Sequence, residues 1–359
     1  MRFGLSEEQE AFRDQLRRLL AERAPLERVR EVAAHGTGFD ERLWSGLAEL
    51  GAMGVLVPEE YGGLGLGAFD AGLVLEELGR VTAPAPYLGT TFVAPVVLAE
   101  SPSNSLAGEW LPRIAAGEVK IGLALAEAVG AREGAGVSAE NRRLSGKALA
   151  ALDTGAADAF LVASGRDSLW LVRAEAHGLS RTAMTSIDRT RALAELRFNK
   201  VEAEPLAGGT ALVQRALDLA RVGLAADTVG AADAMVEQAV TYSKQRVQFD
   251  RVIGSFQGVK HALADMVTAM EPARALSWYA SHAQTAFSAP EAHRLACHAK
   301  AHLAEVGRMV ARGTTEVHGG MGFTDDLGLH YWFKRIGLDR QLFGSPEQLR
   351  AEAMKGLAA

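Results

Sequence analysis

A single cysteine, Cys297, occurs among 359 residues, which excludes an intrachain disulfide framework. No apolar run approaches the roughly 18 residues that a membrane span needs, so no membrane partner is expected. Basic residues are not in excess: 38 Lys and Arg stand against 44 Asp and Glu, for a formal charge of −6. Nucleic-acid surfaces usually carry a basic patch, so no nucleic-acid partner is expected either. The opening MRFGLSEEQE lacks the positively charged start and apolar stretch of a secretory signal, and the simplest compartment is the cytoplasm. What is there is ordinary for a globular protein: 48% hydrophobic and 23% charged residues, in a length suited to two or three domains with a substantial core.

The chain reads in three segments. In the first, Ser6 and Gln9 make a capping-box pair, and Phe12, Leu16, Leu19 and Leu20 then share one helical face. Asp40 caps a second helix with Leu43, Trp44, Leu47 and Leu50 inward and Gly51 at its stop. Gly62 to Gly67 alternates Gly and Leu ahead of a helix over Phe69 to Leu78. These glycines only approximate a dinucleotide fingerprint, without the strand–turn–helix unit and later acid it requires, and a turn is predicted. From Ile121 to about Leu206, short apolar runs alternate with polar or Gly-containing turns, the spacing of strands and hairpins.

The last segment is helical again. Thr210 is placed to cap a helix running to about Lys244. Ala216, Ala220, Gly223, Ala226 and Gly230 form a small-residue stripe along it, which permits close helix packing and predicts a neighbouring subunit. Pro272 is placed to open or interrupt a helix. Ser288 and Glu291 pair as a capping box around Pro290. His293–Cys297 and His298–His302 are i,i+4 pairs, a spacing that can hold a metal. No HExxH glutamate accompanies them and they fall on adjacent faces, so bundle-packed or solvated side chains and no metal are predicted. His261 and His330 read as structural.

The chemistry-bearing stretch is Arg246 to Met266, RVQFDRVIGSFQGVKHALADM, followed by His318-Gly319-Gly320-Met321-Gly322-Phe323. An arginine offers forked donors to phosphate oxygens, and paired glycines let backbone N–H groups approach a ligand that a Cβ would hold off. Together they suit a diphosphate clamp. In wording and spacing this stretch resembles the C-terminal domain of the acyl-CoA dehydrogenase family of flavoenzymes. Leu56 to Arg80, with LVPEEYGGLGLG and VLEELGR, and Met184 to Gly209 extend the resemblance to nearly the whole chain.

The resemblance implies an α+β fold: an N-terminal α-helical domain over 1–119, a small middle β-barrel over 120–207, and a C-terminal four-helix bundle over 208–359. It implies FAD as cofactor, an acyl-CoA thioester as substrate, an electron-transferring flavoprotein as acceptor, and a homo- or hetero-oligomer in which each FAD is shared between subunits. Arg246, Gln248 and Phe249 match the family's Arg-x-x-Phe-Gly motif, with Asp250 for Gly. Phe256 and Gln257 match its Phe-Gln pair. Glu316, Gly319 and Gly320 match its Gln-x-x-Gly-Gly motif, with Glu for Gln. Each added acid near a diphosphate costs about 1–4 kcal/mol, depending on screening.

Two parts of the family pattern are missing. The Thr-Glu-Pro segment on the flavin-ring side reads Ala126-Glu127-Ala128, and the aromatic-Ile-Thr/Ser triplet after Ser145-Gly146-Lys147 reads Ala148 to Asp153 without aromatic or hydroxyl. The family's base, a Glu that takes the α-proton while the β-hydrogen leaves as hydride to the flavin, occupies one of two positions. Here these are Gly344 and Ala220. Asp227, seven residues after Ala220, and Glu347, three past Gly344, are acids nearby in sequence. The chain therefore resembles the smaller, base-lacking subunit of two-chain bacterial acyl-CoA dehydrogenases of steroid side-chain degradation. A homomeric dehydrogenase with Asp227 or Glu347 as a relocated base, and a catalytically silent scaffold, are the alternatives.

Overall fold

The computed structural model describes residues 4–101, 104–130 and 133–355. The N-terminal helices are α1 (Glu7–Arg23), α2 (Leu26–His35), α3 (Glu41–Glu49), α4 (Ala68–Arg80), α5 (Ala94–Glu100) and α6 (Asn104–Ala115). Their starts follow local chemistry. Ser6 and Gln9 form the capping box, and Asp40 accepts from the N–H groups of Arg42 and Leu43. Leu16, Leu20, Leu43, Trp44 and Leu47 are buried. Gly51, at φ 79°, ends α3 in the left-handed region open to glycine. The 62–67 segment is a turn before α4, and a buried π-helical stretch, Leu88–Val93, leads into α5.

The middle segment holds β1 (Ile121–Ala124), a short α7 (Ala126–Val129), β2 (Gly136–Glu140), β3 (Arg143–Leu152), β4 (Ala159–Ser164), β5 (Ser168–Arg173), β6 (Leu179–Met184), β7 (Leu193–Glu202) and β8 (Glu204–Leu206). They form one eight-stranded sheet in the order β6-β7-β3-β1-β4-β5-β8, with β2 on β3. β1 and β4 are parallel; the other pairs are antiparallel. Alternation along each strand builds two cores. Leu123, Leu161, Leu169 and Leu171 pack toward the helices, while Ala124, Phe160, Val162, Trp170 and Val172 fill an interior belonging to the sheet.

The C-terminal segment comprises α8 (Gly209–Gln245), the hairpin β9 (Val247–Gln248) and β10 (Arg251–Val252), α9 (Gln257–Ala286), α10 (Ala289–His318), α11 (Leu329–Gln341) and α12 (Pro346–Lys355). α8 is buried almost all round, as expected of a helix clasped by α4, α9, α10 and α11.

Four local expectations change. The cap of α8 is Gly208, not Thr210; its φ of 140° is open only to glycine. α9 runs unbroken through Pro272. Ser288 precedes α10 without a side-chain cap; Glu291 donates its N–H to the Ser288 carbonyl instead. The small-residue stripe serves this chain rather than a neighbour: a Cβ at Gly230 would strike the Glu76 carbonyl of α4, and one at Gly79 would strike the Asp227 carbonyl of α8. The stripe is an intrachain seam and carries nothing about subunits.

Candidate cofactor and substrate site

The residues expected to clamp a diphosphate come together at one end of the bundle. α8 ends where Arg246 donates its N–H to the Tyr242 carbonyl. The Tyr242 ring lies 4.6 Å from that of His318, the last residue of α10, so Arg246 and Gly319-Gly320 share that end. Phe249 and Asp250 form the two-residue turn between β9 and β10, with φ of 53° and 59°. Two consecutive positive φ values define the hairpin turn that favours Gly at its second position, where Asp250 stands. Phe249 is 87% exposed and Phe323 80% exposed. Arg246, Gln248, Gln257, Glu316, Gly319 and Gly320 are exposed, and Phe256 is half-buried. Open space lies where a Cβ would project from Gly319 or Gly320. The charges added by Asp250 and Glu316 have cationic company that the motif comparison did not anticipate. Arg251 stacks 3.9 Å over the Phe256 ring, and Glu316 shares a hollow of about 340 Å³ with Arg308 and Arg312. This donor set fits an anionic diphosphate.

The flavin-ring side does not fit its ligand. Ala150 adopts φ 51° at an irregularity in the β3–β7 ladder. Leu152 is fully buried in the main core, opposite Leu123. Ala148 and Ala151 face the sheet's own interior. Glu127 accepts from the Leu149 N–H at 3.3 Å, and its other carboxylate oxygen is buried without a partner. Where a ring needs an aromatic face and donors to its edge, this chain offers methyl groups and an acceptor.

Neither family base position carries an acid or is open to solvent. Ala220 is fully buried. Gly344 is buried at φ 120°, and a Cβ there would lie 3.0 Å from Leu349. The relocated candidates are differently employed. Glu347 is exposed in the first turn of α12; the helix-start backbone N–H and the Ser345 hydroxyl lower its pKa. Asp227 is only 1% exposed and grips two arginines: Arg191 at 3.0 Å and Arg335 at 3.1 Å. Burial opposes its ionisation, but those arginines outweigh burial and its pKa is lowered. Burial and the charge on Asp227 hold Asp339 protonated well above the usual carboxylate range.

This buried ion cluster joins all three segments. Arg335 of α11 pairs with Asp188 at 2.9 Å, donates to Thr190 at 2.7 Å, and reaches the Ala83 carbonyl behind α4 at 3.0 Å. Asp153, at the end of β3, faces the same arginines. Its pKa is pushed up to about 6, chiefly by burial. The folded chain therefore binds that proton more tightly than the unfolded chain, and stability is lost as pH rises from the ordinary 3.8 toward about 6. Asp153→Asn is expected to remove this slope and to raise stability at pH 8 by up to roughly 3 kcal/mol. Urea titrations of both forms at pH 4.5 and pH 8 measure it; equal slopes in the two proteins would refute the assignment.

A groove of about 810 Å³ runs between α5, the start of α8 and the α9–α10 turn. Leu56, Leu66 and Val96 give it apolar walls; Arg215, Asp218 and His293 are polar points on its floor. Arg215 spans it, paired to Glu100 at 3.0 Å and to Gln284 at 2.8 Å. Asp218 receives His293 at 2.9 Å and Gln214 at 2.9 Å. His293 is pushed up to about 10 by the Asp218 hydrogen bond and then by Cys297. Motif reading missed Asp218, yet a signal was available: Gln214, Asp218 and Arg221 recur at helical spacing within an apolar helix. His298 and His302, by contrast, line a separate hollow beside Pro272.

Comparison with known proteins bears on both halves. The acyl-CoA dehydrogenase C-terminal domain matches residues 207–358, and the N-terminal domain of the same family matches residues 6–118. The chain belongs to the acyl-CoA dehydrogenase family. Among acyl-CoA dehydrogenases, it is 33% identical to the acyl-CoA dehydrogenase IpdE2 of Mycobacterium tuberculosis over 96% of this chain and 95% of the relative. The IpdE2 of Mycolicibacterium smegmatis is 31% identical over 96% and 98%. Two solved structures superpose over nearly all of it. The Tcur3481–Tcur3483 steroid ACAD has a TM-score of 0.90 at 30% identity, covering 98% of each chain. The ChsE4–ChsE5 complex from Mycobacterium tuberculosis has a TM-score of 0.91 at 26% identity, covering 100% and 99%. The two domain matches flank the middle sheet.

Proposed function

We propose that this chain is the non-catalytic subunit of a two-chain acyl-CoA dehydrogenase, lending the diphosphate half of an FAD site to a paralogue that supplies the ring cradle and the base. The observation that carries this reading is an asymmetry. Arg246, Phe249, Gly319 and Gly320 stand exposed at the bundle end, while the ring-side positions of the same chain are packed shut with Ala148, Ala151 and Leu152. FAD would supply hydride-accepting chemistry at the partner's cradle; this chain's part is to hold its phosphates with the Arg246 guanidinium and the Gly319-Gly320 backbone. The similarity to two-chain assemblies supports a paralogous partner, and the steroid relative favours a bulky acyl thioester.

Co-expression with a paralogous dehydrogenase gene, followed by flavin quantitation and native mass, tests this. The chain alone is expected to purify colourless, because stacking and two hydrogen bonds are missing. Their absence removes about 3–5 kcal/mol, or two to four decades of affinity. With its partner it forms a yellow hetero-oligomer, and Arg246→Ala in this chain releases the flavin from the complex. A stoichiometrically yellow homo-oligomer of this chain alone would overturn the proposal.

A further inference from the structure

Beside the groove, two helices bring three different donor types to one point. Asp218 of α8 and His293 and Cys297 of α10 each offer a ligand atom, and these atoms all lie within 4.8 Å of one another. We propose that Asp218, His293 and Cys297 bind a zinc-type divalent cation through a carboxylate oxygen, Nδ1 and Sγ, with the fourth coordination position open to the groove. The site is independent of the flavin reading and involves none of the clamp residues.

The distances are close to those a tetrahedral ion imposes. Metal–ligand lengths of about 2.0–2.3 Å place N and S about 3.6 Å apart and N and O about 3.3 Å apart. Here Cys297 Sγ is 3.9 Å from His293 Nδ1, and Asp218 Oδ1 is 2.9 Å from it. The carboxylate needs to move by only a few tenths of an ångström, but Sγ is also 3.9 Å from Nε2, so the imidazole has to turn to aim Nδ1 between Asp218 and Cys297, giving up its proton as the ion enters. A thiolate in the set disfavours the hard ions magnesium and calcium and favours zinc or cobalt.

The surroundings support the ligands. Glu352 Oε1 lies 3.6 Å from His293 Nε2, the nitrogen facing away from Asp218. A carboxylate on the far nitrogen is the usual means of fixing a ligating imidazole. Gln214 and Arg221 hold Asp218, and Arg221 also donates toward Cys297 Sγ at 3.5 Å. A guanidinium so close to a cation needs its own counter-charge, and it has one: Glu352 takes both Arg221 terminal nitrogens at 3.1 Å. The remaining balance closes, with one carboxylate and one thiolate against a double positive charge. Cys297 is fully buried against Ala301, Leu349 and Ala353, which keeps water from the sulfur side. His293, at 22% side-chain exposure, leaves an entry from the groove.

Cobalt(II) is the probe, added to the full chain after stripping with a chelator. One ion per chain is expected, with a thiolate-to-cobalt absorption in the near ultraviolet and the intense visible bands of tetrahedral cobalt. Cys297→Ser loses the near-ultraviolet band. His293→Ala and Asp218→Asn each weaken binding by roughly 10-fold or more, and Glu352→Gln by roughly 10–100-fold. His302→Ala leaves binding unchanged. A second readout guards against misfolded variants: zinc raises the melting temperature of the parent chain but not of His293→Ala, whose side chain is partly exposed. Absence of the near-ultraviolet band, or equal cobalt affinity in the parent and all three ligand variants, would overturn the site.

Discussion

Asp227→Asn is expected to destabilise the chain by about 3–5 kcal/mol, the usual cost of removing one partner from a buried ion pair. The carboxylate is 1% exposed and holds Arg191 and Arg335. Its replacement leaves the guanidinium groups in the interior with Asp188 and with Asp339, which is then held up by burial without the charge on Asp227, as their acid partners. Attraction is strong there because little water screens it, and the penalty for an unmatched charge is correspondingly high. Arg335→Met is expected to lose a similar amount and also to loosen the middle sheet from the bundle, because Arg335 contacts Asp188, Thr190, Asp227 and the Ala83 carbonyl together. Chemical unfolding followed by tryptophan fluorescence measures both. If Asp227→Asn instead left stability unchanged and abolished turnover of the complex, Asp227 would be the relocated base after all.

The second large effect concerns catalysis. This chain alone is expected to dehydrogenate acyl-CoA thioesters at least about 10²–10⁴-fold more slowly than an enzyme with a positioned carboxylate base. Installing the family glutamate does not repair this. Gly344→Glu places a side chain at φ 120°, against Leu349, a backbone conformation that costs about 1–3 kcal/mol outside glycine. Ala220→Glu buries a carboxylate in a fully packed interior. Both variants are expected to lose stability and gain no activity, read as melting temperature and as anaerobic bleaching of added flavin across short, branched and steroid thioesters. Rapid bleaching by the parent chain alone would contradict the non-catalytic assignment.

Much of this was legible in the sequence because it rests on local chemistry. The capping box at Ser6, the cap at Asp40 and the left-handed stop at Gly51 are decided within a few residues, and each forms as expected. So is the alternation that makes strands from Ile121 onward. Arg246 and Gly319-Gly320 stood out as candidates because forked donors and paired glycines suit a diphosphate, and the structure brings their two segments to one end through the Tyr242–His318 contact. Long-range partners were not readable. Asp227 looks like any helical acid until Arg191 and Arg335 arrive from 36 residues before and 108 residues after it. Pro272 continues a helix where local rules interrupt one, and the small-residue stripe proved to face α4. Asp218 was passed over because its partners, His293 and Cys297, lie on another helix.

The seam between α4 and α8 also limits how this protein can change. With glycine at 79 and 230 the two backbones touch directly, so α8 cannot slide or tilt without a collision. The groove's α8 bank is therefore a fixed datum. Any change in the groove's width has to come from the opposite bank, through residues 284–293 and their bridges to α8 at Gln214, Arg215 and Asp218. Relatives whose grooves differ in width should accordingly vary most in that short turn, while leaving both glycines in place.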